Sequence, residues 1–255
     1  MERINAEIAE IAGIFAADGS MQKEHISFWG NITEDRDHYD LIIKKLFKAA
    51  FNFEARPHEK KSNSVYGFYV CKKEIIKYFN GVLGYCFGSK TYTVRVPEII
   101  MHSSSPNIWS SFLRGFCDTD GSLSFGKRYG TCKKILKVIH TYPRIQIKCV
   151  SFNIIYDMSE LLNRLHIEHS VCSIKGGKIN EKDSKMIQVS GVKNLAKWMD
   201  LIGFNNPVHN TKYEIFKRCG FVPPNTTIKE RKLMLSGNID PESYYHNCGS
   251  VAQLG

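Results

Sequence analysis

The string IAGIFAADG, over Ile11–Gly19, has a close counterpart in LRGFCDTDG, over Leu113–Gly121. Each string is a helix-like apolar run with a glycine near its middle and an Asp-Gly pair at its end, and serine follows in both. Asp18 and Asp120 stand 102 residues apart (120 minus 18) at equivalent points. The repeat therefore predicts two similar helices, each of which carries a carboxylate at its C-terminal end.

The glycine inside each string predicts how the two helices meet. Glycine within a helix costs about 1 kcal/mol relative to alanine, and placing it twice at equivalent points, Gly13 and Gly115, favours close approach of two backbones. A glycine that merely ends a helix fits poorly, because apolar residues continue on both sides. We also expect Gly19 and Gly121 to take the left-handed conformation that is common after a helix.

The two aspartates are candidates for a metal site. A carboxylate at the C-terminal end of a helix opposes the helix dipole, so two of them are locally unfavourable unless a cation compensates. A single Asp-Gly pair is more often a surface turn, but two in matched strings favour a site. If the helices bring Asp18 and Asp120 together, the pair can hold a divalent cation.

The composition is that of a basic globular protein. The 255 residues are 43% hydrophobic, and the formal net charge of +10 favours a polyanionic partner, although a soluble protein can be basic without one. No apolar run approaches the ~20 residues of a membrane span, and the first residues lack signal-peptide character. The eight cysteines form no C-x-x-C pair. We therefore expect reduced thiols in a cytoplasmic protein, or in an organellar matrix if the gene is organellar.

The resemblance between the halves extends beyond the strings. Ile26–Trp29 alternates like a strand and precedes an amphipathic helix over Tyr39–Phe47, and Ile145–Lys148 with Met158–Leu165 repeats this at an offset of 119 (145 minus 26). A second strand and another helix then follow in each half. These segments are Val65–Val70 with Lys73–Phe79, and Met186–Val189 with Lys193–Met199. Each half therefore predicts the order helix, strands, helix, strands, helix.

The second half carries an insertion directly after its string. The offset grows from 102 to 119, which gives about 17 extra residues (119 minus 102) within 122–142. No Asp or Glu occurs from Ser122 through Tyr156. We expect a long basic hairpin with its turn near Lys127–Gly130. A lysine run is usually a solvated face, but an acid-free hairpin beside a candidate metal site favours contact with phosphates.

The paired strings resemble the LAGLIDADG motif of homing endonucleases, whose single-chain members carry one copy per half. The match covers the glycines, the apolar positions and the final Asp-Gly pairs; it departs at Ala16, where the family often has an acidic residue, which Asp118 keeps. The similarity extends over about residues 5–220. It implies a mixed α/β (α+β) fold of two pseudo-symmetric αββαββα repeats, packed through the motif helices, with antiparallel saddle-shaped sheets that bind DNA.

The chain divides into four parts on this interpretation. They are an N-terminal repeat over 1–88, a linker over 89–105, a C-terminal repeat over 106–220 and an extension over 221–255. Ser105-Pro106 is a typical helix start. In the extension we expect a short helix around Ile228–Leu235 and poor order from Gly237 onward.

The resemblance implies a monomeric, intron-encoded endonuclease that cuts both strands of a long asymmetric DNA target and leaves short 3′ overhangs. Asp18 and Asp120 would act as catalytic metal ligands for Mg²⁺, which prefers oxygen donors and retains several waters, so that DNA phosphates can complete the set. Mn²⁺ would substitute for Mg²⁺, and Ca²⁺ would bind without supporting efficient cleavage. Lys73 and Lys193 begin equivalent helices, and a lysine near this point would stabilise charge at the scissile phosphate. Ordinary surface lysines are the alternative.

The strands predict the DNA contacts, because a β-ribbon fits the major groove. Alternate strand residues and the basic hairpin would face the DNA. The candidates are Gln22, His25, Ser27, Arg56, His58, Lys60, Lys127, Arg128, Lys133, Lys134, Arg144, Gln146, Lys148, Lys175, Lys178, Lys185 and Gln188. An error of one residue in the register would exchange the two faces. Trp29 and Tyr69 fit a core or a platform as well as a DNA contact.

Two other functions stay open. A nucleic-acid-binding module without cleavage, such as a maturase that binds its own intron RNA, would tolerate loss of either aspartate, and this chain keeps both. An unrelated metal-dependent phosphodiesterase predicts further His or carboxylate clusters near the strings, and the sequence contains none there.

Overall fold

The computed structural model describes residues 4–60, 64–129, 138–177 and 182–246. The N-terminal half begins with α1 (Ala6–Asp18), and its apolar and small residues are buried along most of its length. The elements that follow are β1 (Ser20–Met21), β2 (Ile26–Asn31), α2 (Arg36–His38), a π-helical turn (Tyr39–Ile43), α3 (Lys44–Phe51), β3 (His58–Lys60), β4 (Val65–Val70) and α4 (Lys73–Gly81).

The C-terminal half repeats this order after the short helix α5 (Glu98–Met101). Its elements are α6 (Pro106–Asp120), β5 (Gly121–Tyr129), β6 (Val138–Cys149), α7 (Phe152–Arg164), β7 (Ser170–Ile174), β8 (Ser184–Ser190) and α8 (Val192–Leu201). Three further helices close the described chain: α9 (Pro207–Cys219), α10 (Ile228–Leu235) and α11 (Ser243–His246). Within these ranges no helix combines the length and the apolar character that a bilayer crossing requires.

Each half forms a four-stranded antiparallel sheet, and the two sheets share one topology. The strand orders are β1-β2-β4-β3 and β5-β6-β8-β7. Ser27 lies opposite Ser20 and Tyr69, and Gln146 lies opposite Ser122 and Gln188. The pairing of β2 with β4 therefore repeats in β6 and β8 with the offset of 119 found in the sequence, whereas β1 repeats in β5 with the offset of 102. The predicted mixed fold of two αββαββα repeats is confirmed.

The two motif helices, α1 and α6, pack closely at their glycines. A Cβ at Gly13 would lie 2.2 Å from the carbonyl oxygen of Phe112, and one at Gly115 would lie 2.1 Å from that of Glu10. Any other residue would force the two backbones apart. This contact fixes where the C-terminal ends of both helices lie.

The prediction of left-handed glycines after the motif helices is wrong. Gly19 has φ −66° and Gly121 has φ −85°, both in extended conformation, because a strand begins at once. Space explains these glycines instead. A Cβ would lie 2.2 Å from the Phe15 ring at Gly19 and 2.4 Å from the Cys117 sulfur at Gly121.

The insertion in the second half forms the predicted hairpin. β5 continues to Tyr129 and pairs with β6 through a bulge between Gly126 and Lys127. Lys127 lies opposite His140, so the strand extends past the position where the sequence suggested the turn. The connection itself, residues 130–137, lies outside the described residues.

The linker and the described part of the extension, up to residue 246, contain residues that pack against the rest of the protein. In the linker Val96 is fully buried, and Arg95 forms an ion pair of 3.1 Å with Asp157. The predicted helix over Ile228–Leu235 is present as α10. Within the described part of the extension, Tyr245 is 8% exposed and packs on Phe221; the expectation of poor order beyond it falls on residues 247–255, which lie outside the described residues. The sequence after Gly237 is mostly polar, so it did not predict the contact between Tyr245 and Phe221.

Candidate catalytic site at the ends of the paired helices

The two motif helices end on the two predicted carboxylates. Asp18 is the last residue of α1, and Asp120 is the last residue of α6. Because the helices pack through their glycines, both ends meet, and the two carboxyl groups lie close enough for each to shift the pKa of the other. Both side chains are open to solvent on one side, so a phosphate or a hydrated cation can reach them.

The position of the two carboxyl groups raises the pKa of both Asp18 and Asp120. Partial burial, followed by the negative charges of Asp120 and Asp35, raises the pKa of Asp18 to about 7, while Lys90 acts in the opposite direction. Burial also raises the pKa of Asp120, against the lowering effects of Lys90 and of the hydrogen bond from Asp18. Carboxylates this close cannot both ionise readily unless a cation offsets their repulsion. The pair therefore favours either a shared proton or a bound divalent ion.

The donor set fits Mg²⁺ or Mn²⁺, which prefer carboxylate oxygen, water and phosphate ligands. In the part of the chain that the structure describes, no group of three or more His, Cys, Asp or Glu side chains could hold a metal ion. One carboxylate from each half would leave coordination positions for water and substrate phosphates.

The linker contributes a cation that the sequence analysis missed. The Lys90 ammonium donates to the carbonyl oxygens of Ala16 at 2.6 Å and Ala17 at 2.7 Å, in the last turn of α1. Burial lowers the pKa of Lys90, whereas the charges of Asp120 and Asp18 raise it. A positive charge at a helix C-terminus is favourable. No motif pointed to Lys90, because it lies in the predicted linker.

At the equivalent end of α6, neutral amides donate the hydrogen bonds. The backbone N–H of Asn205 donates to the Asp118 carboxylate at 2.7 Å, and the side-chain amide of Asn206 donates to the Asp118 carbonyl oxygen at 2.8 Å. Burial raises the pKa of Asp118 to about 8, although the hydrogen bond from Asn205 lowers it. Asp118 therefore holds the segment that starts α9, and it occupies the position that Ala16 has in α1.

A buried ion pair ties the motif helices together near their middles. The Arg114 guanidinium of α6 contacts the Glu10 carboxylate of α1 at 2.6 Å and donates to the carbonyl oxygen of Ile202 at 2.8 Å. The Asn205 side chain donates to the other Glu10 oxygen at 2.5 Å. Glu10 is 2% exposed. The network joins both helices to the segment that precedes α9 and so fixes the geometry of the carboxylates.

Lys73 and Lys193 lie in the first turns of α4 and α8, and both are exposed. Among the described residues, neither lysine is one of the charges that shift the pKa of Asp18 or Asp120, whereas Lys90 is. The structure therefore brings Lys90 to the carboxylates. Their catalytic role stays a prediction.

Comparison with known proteins identifies the fold. The chain matches no protein-family model and no curated protein. It is similar to solved structures of the homing endonuclease I-DmoI with DNA and Mn (TM-score 0.51, 13% identity, 78% of this chain and 96% of that chain). It is also similar to the LAGLIDADG homing endonuclease I-LtrWI bound to target DNA (0.53, 15%, 91% and 91%) and to a variant of I-SmaMI (0.52, 11%, 97% and 100%). The chain has the LAGLIDADG homing-endonuclease fold.

The LAGLIDADG sheet of the first half presents an aromatic outer face. Phe28 and Phe68 point into the core, so the alternate residues Trp29 and Tyr69 lie on the other side. The Lys60 ammonium lies 4.0 Å from the centroid of the Trp29 ring and 4.6 Å from that of Tyr69. Of the predicted contacts, Ser27, His25, His58 and Lys60 share this face. Gln22 and Arg56 are exposed just outside the strands.

The outer face of the second LAGLIDADG sheet carries amide and guanidinium groups. Along β6, Arg144, Gln146 and Lys148 alternate with the buried Ile145 and Ile147, and Gln188 of β8 lies opposite Gln146. The side-chain amide of Gln146 donates to the Gln188 side-chain oxygen at 2.9 Å. In the hairpin, the Arg128 guanidinium lies 3.6 Å from the centroid of the Tyr142 ring.

One predicted DNA contact lies on the opposite side of this sheet. Lys185 alternates with Met186 and belongs to the side that α7 covers; its ammonium donates to Ser173 at 3.0 Å and lies 5.2 Å from the rings of Phe152 and Tyr156. The sequence register was uncertain here because the strand has basic residues near its end. Lys175 is exposed beyond β7, and Lys127 belongs to β5. Lys133, Lys134 and Lys178 lie outside the described residues.

Proposed function

We propose that this chain is a site-specific, divalent-metal-dependent DNA endonuclease that hydrolyses both strands of a long asymmetric target. The observation that carries the proposal is the Asp18–Asp120 pair, whose carboxyl groups lie close enough to shift each other's pKa where the two motif helices end. The similar I-DmoI and I-LtrWI structures hold DNA, and one holds Mn. Their bound groups support the same partner and the same kind of cofactor for this chain.

The residues at the pair would have distinct roles. Metal bound by Asp18 and Asp120 would supply an activated water and charge stabilisation at the scissile phosphate. The carboxylates would orient the ligands in the space where the halves meet. The Lys90 ammonium would add positive charge beside them, where charge on the phosphate grows in the transition state. Glu10 and Arg114 would keep the two helix ends in register.

The two outer sheet faces would hold the DNA. The net charge of +10 favours a polyanion, and each face offers side chains to the major groove. Because the faces differ chemically, a single chain would recognise an asymmetric site as a monomer. Cuts across the minor groove with short 3′ overhangs, an intron-encoded origin and a preference for Mg²⁺ complete the proposal.

The test uses the full chain with a randomised duplex library, in Mg²⁺, in Ca²⁺ and in EDTA, and with sequencing of the products. Asp18→Asn and Asp120→Asn are run beside the wild type. We expect Mg²⁺-dependent cuts at one long motif, lost in both variants, while both variants still bind that motif. Tight binding of DNA or intron RNA without cleavage, unchanged in the variants, would replace this proposal with a maturase or binding module.

A further inference from the structure

The second sheet presents two glutamines as one linked unit. Gln146 on β6 lies directly opposite Gln188 on β8, and the Gln146 amide donates to the Gln188 side-chain oxygen at 2.9 Å. The same Gln146 nitrogen lies 3.4 Å from the Met186 sulfur. Both glutamines are partly exposed on the outer face. Their hydrogen bond restricts the rotamers of both side chains before any ligand arrives, so less entropy is lost on binding.

The linked pair offers one acceptor and one donor to a ligand. Within the described ranges, the Gln146 side-chain oxygen and the Gln188 side-chain nitrogen make no hydrogen bond. If both amides were turned over, the Gln146 nitrogen and the Gln188 oxygen would be the open atoms instead. In either orientation the pair presents one donor and one acceptor. The chemistry on offer therefore does not depend on how the amides are assigned.

One base matches this pattern in the major groove. Adenine presents an acceptor at N7 beside a donor at N6, whereas guanine presents two acceptors, N7 and O6. Guanine would place O6 against the open amide oxygen of the pair. Cytosine offers only a donor, and thymine offers an acceptor with a methyl group. Among the four bases taken singly, adenine alone offers both partners that the pair requires.

The position of the pair places that base near the cut. Gln146 lies opposite Ser122, two residues after Asp120. The equivalent positions in the first sheet are Ser27 and Tyr69, which cannot form a linked amide pair. Only one half of the target would carry this requirement.

We propose that Gln146 and Gln188 act together as the specificity determinant for one adenine in the half-site bound by the second sheet. This inference rests on the proposed DNA endonuclease function. It goes further by naming the base and the side chains that select it.

The experiment profiles cleavage by the full chain on its own target, with all four base pairs at every position of both half-sites. We expect one position where adenine is cut about tenfold faster than guanine. Gln146→Leu and Gln188→Leu should reduce that ratio to about twofold while preferences elsewhere persist. Replacing this adenine by 7-deazaadenine, or by purine without the 6-amino group, should slow cleavage by the wild type. It should not slow cleavage by the variant that carries both Gln146→Leu and Gln188→Leu.

Two further variants keep the test decisive. Gln188→Glu exchanges the donor for an acceptor and should move the preference at that position from adenine towards cytosine, a gain that misfolding could not produce. Tyr69→Leu, at the equivalent register position, should alter preferences only in the other half-site.

The outcomes separate the inference from the function beneath it. Cleavage without an adenine preference in this half-site, or with one that the glutamine variants leave intact, overturns the inference and leaves the endonuclease standing. If the wild type neither binds nor cuts any DNA, the proposed function fails, and the inference fails with it.

Discussion

The two sheets have the same backbone register and different outer chemistry. Trp29 and Lys148 occupy equivalent positions, as do Tyr69 and Gln188. On the inner faces, the equivalent residues Phe28 and Ile147 are both fully buried. Packing therefore constrains one side of each strand to remain apolar, while the other side is free to diverge. The symmetry of the molecule therefore belongs to its core and does not extend to the outer faces that are proposed to bind DNA.

The C-terminal ends of α1 and α6 at the candidate site also occupy equivalent positions and differ in chemistry. The last carbonyl groups of α1 accept hydrogen bonds from the Lys90 ammonium, whereas the carbonyl of Asp118 in α6 accepts one from the neutral Asn206 amide. Asp18 also feels the charge of Asp35. Asp18 and Asp120 are thus equivalent in position and unequal in electrostatic environment.

The largest effect should come from the part that is symmetric. Gly13→Ala and Gly115→Ala would each place a Cβ about 2 Å from a backbone oxygen of the partner helix. Such overpacking against backbone should destabilise each variant by about 3 kcal/mol or more, and by similar amounts. Chemical denaturation measures both. Gly81→Ala, where the added Cβ meets nothing within 4 Å, is the matched control and should be neutral or slightly stabilising. A mild effect at either motif glycine would contradict the close packing.

Lys90 tests the asymmetry of the helix ends. Lys90→Gln removes the charge while a side-chain amide remains, as at Asn206 in the other half. We expect cleavage to slow by about 10- to 100-fold, because a positive charge beside the carboxylates is lost. The two strands should slow unequally, so that nicked DNA accumulates in single-turnover assays with strand-specific labels.

Lys73→Gln and Lys193→Gln provide the comparison that decides between the lysines. Both side chains are exposed in the first turns of their helices. Weak effects there would assign the catalytic cation to Lys90. A greater loss of activity in these variants than in Lys90→Gln would instead support the roles that the sequence predicts for them.

The fold could be predicted from the sequence because the same local patterns occur in both halves. The matched strings, the offset of 119 and the alternation of strands describe local patterns, and the second half tests each of them against the first. Lys90 escaped prediction because its partners, Ala16 and Ala17, are backbone carbonyls more than 70 residues away. Lys185 lies on the face of β8 opposite that of Gln188, and a sequence does not settle the phase of alternation at a strand end. Local patterns fix elements, while contacts between distant segments decide the chemistry of the site.

Trp29 and Lys148 sharpen the comparison of the outer faces because they share one register position. Trp29→Ala should weaken DNA binding by about fivefold through lost ring contacts, and leave the salt dependence nearly unchanged. Lys148→Ala should lower the slope of log K against log salt by about 1, since one phosphate contact is lost. Binding is measured by fluorescence anisotropy in Ca²⁺ from 50 to 200 mM salt, a range of about fourfold chosen to resolve that slope. A change of the salt slope in Trp29→Ala and none in Lys148→Ala would contradict these roles of the two outer faces.

The smallest expected effect is on the free energy of unfolding, which the ionised carboxylate of Asp18 lowers. Its pKa is about 7 in the folded protein against a usual value of 3.8. Below about pH 3 the carboxyl is protonated in both states and carries no penalty. Between about pH 3 and 7 the unfolded chain ionises first, so stability falls as pH rises, and above about pH 7 the penalty is complete. In EDTA, Asp18→Asn should therefore match the wild type near about pH 3 and exceed it by about 1 kcal/mol or less at about pH 8, because solvent screens an exposed group.

Mg²⁺ should reverse that ranking at pH 8. A cation bound by the Asp18–Asp120 pair offsets the repulsion and stabilises the folded state in proportion to its occupancy. The wild type should gain thermal stability on addition of Mg²⁺, and Asp18→Asn should gain less. Asp200→Asn, which removes an exposed carboxylate on α8, should respond to Mg²⁺ as the wild type does. An equal gain in all three proteins would mean that the ion binds elsewhere, because neutralising one member of the pair must weaken a site that both members form.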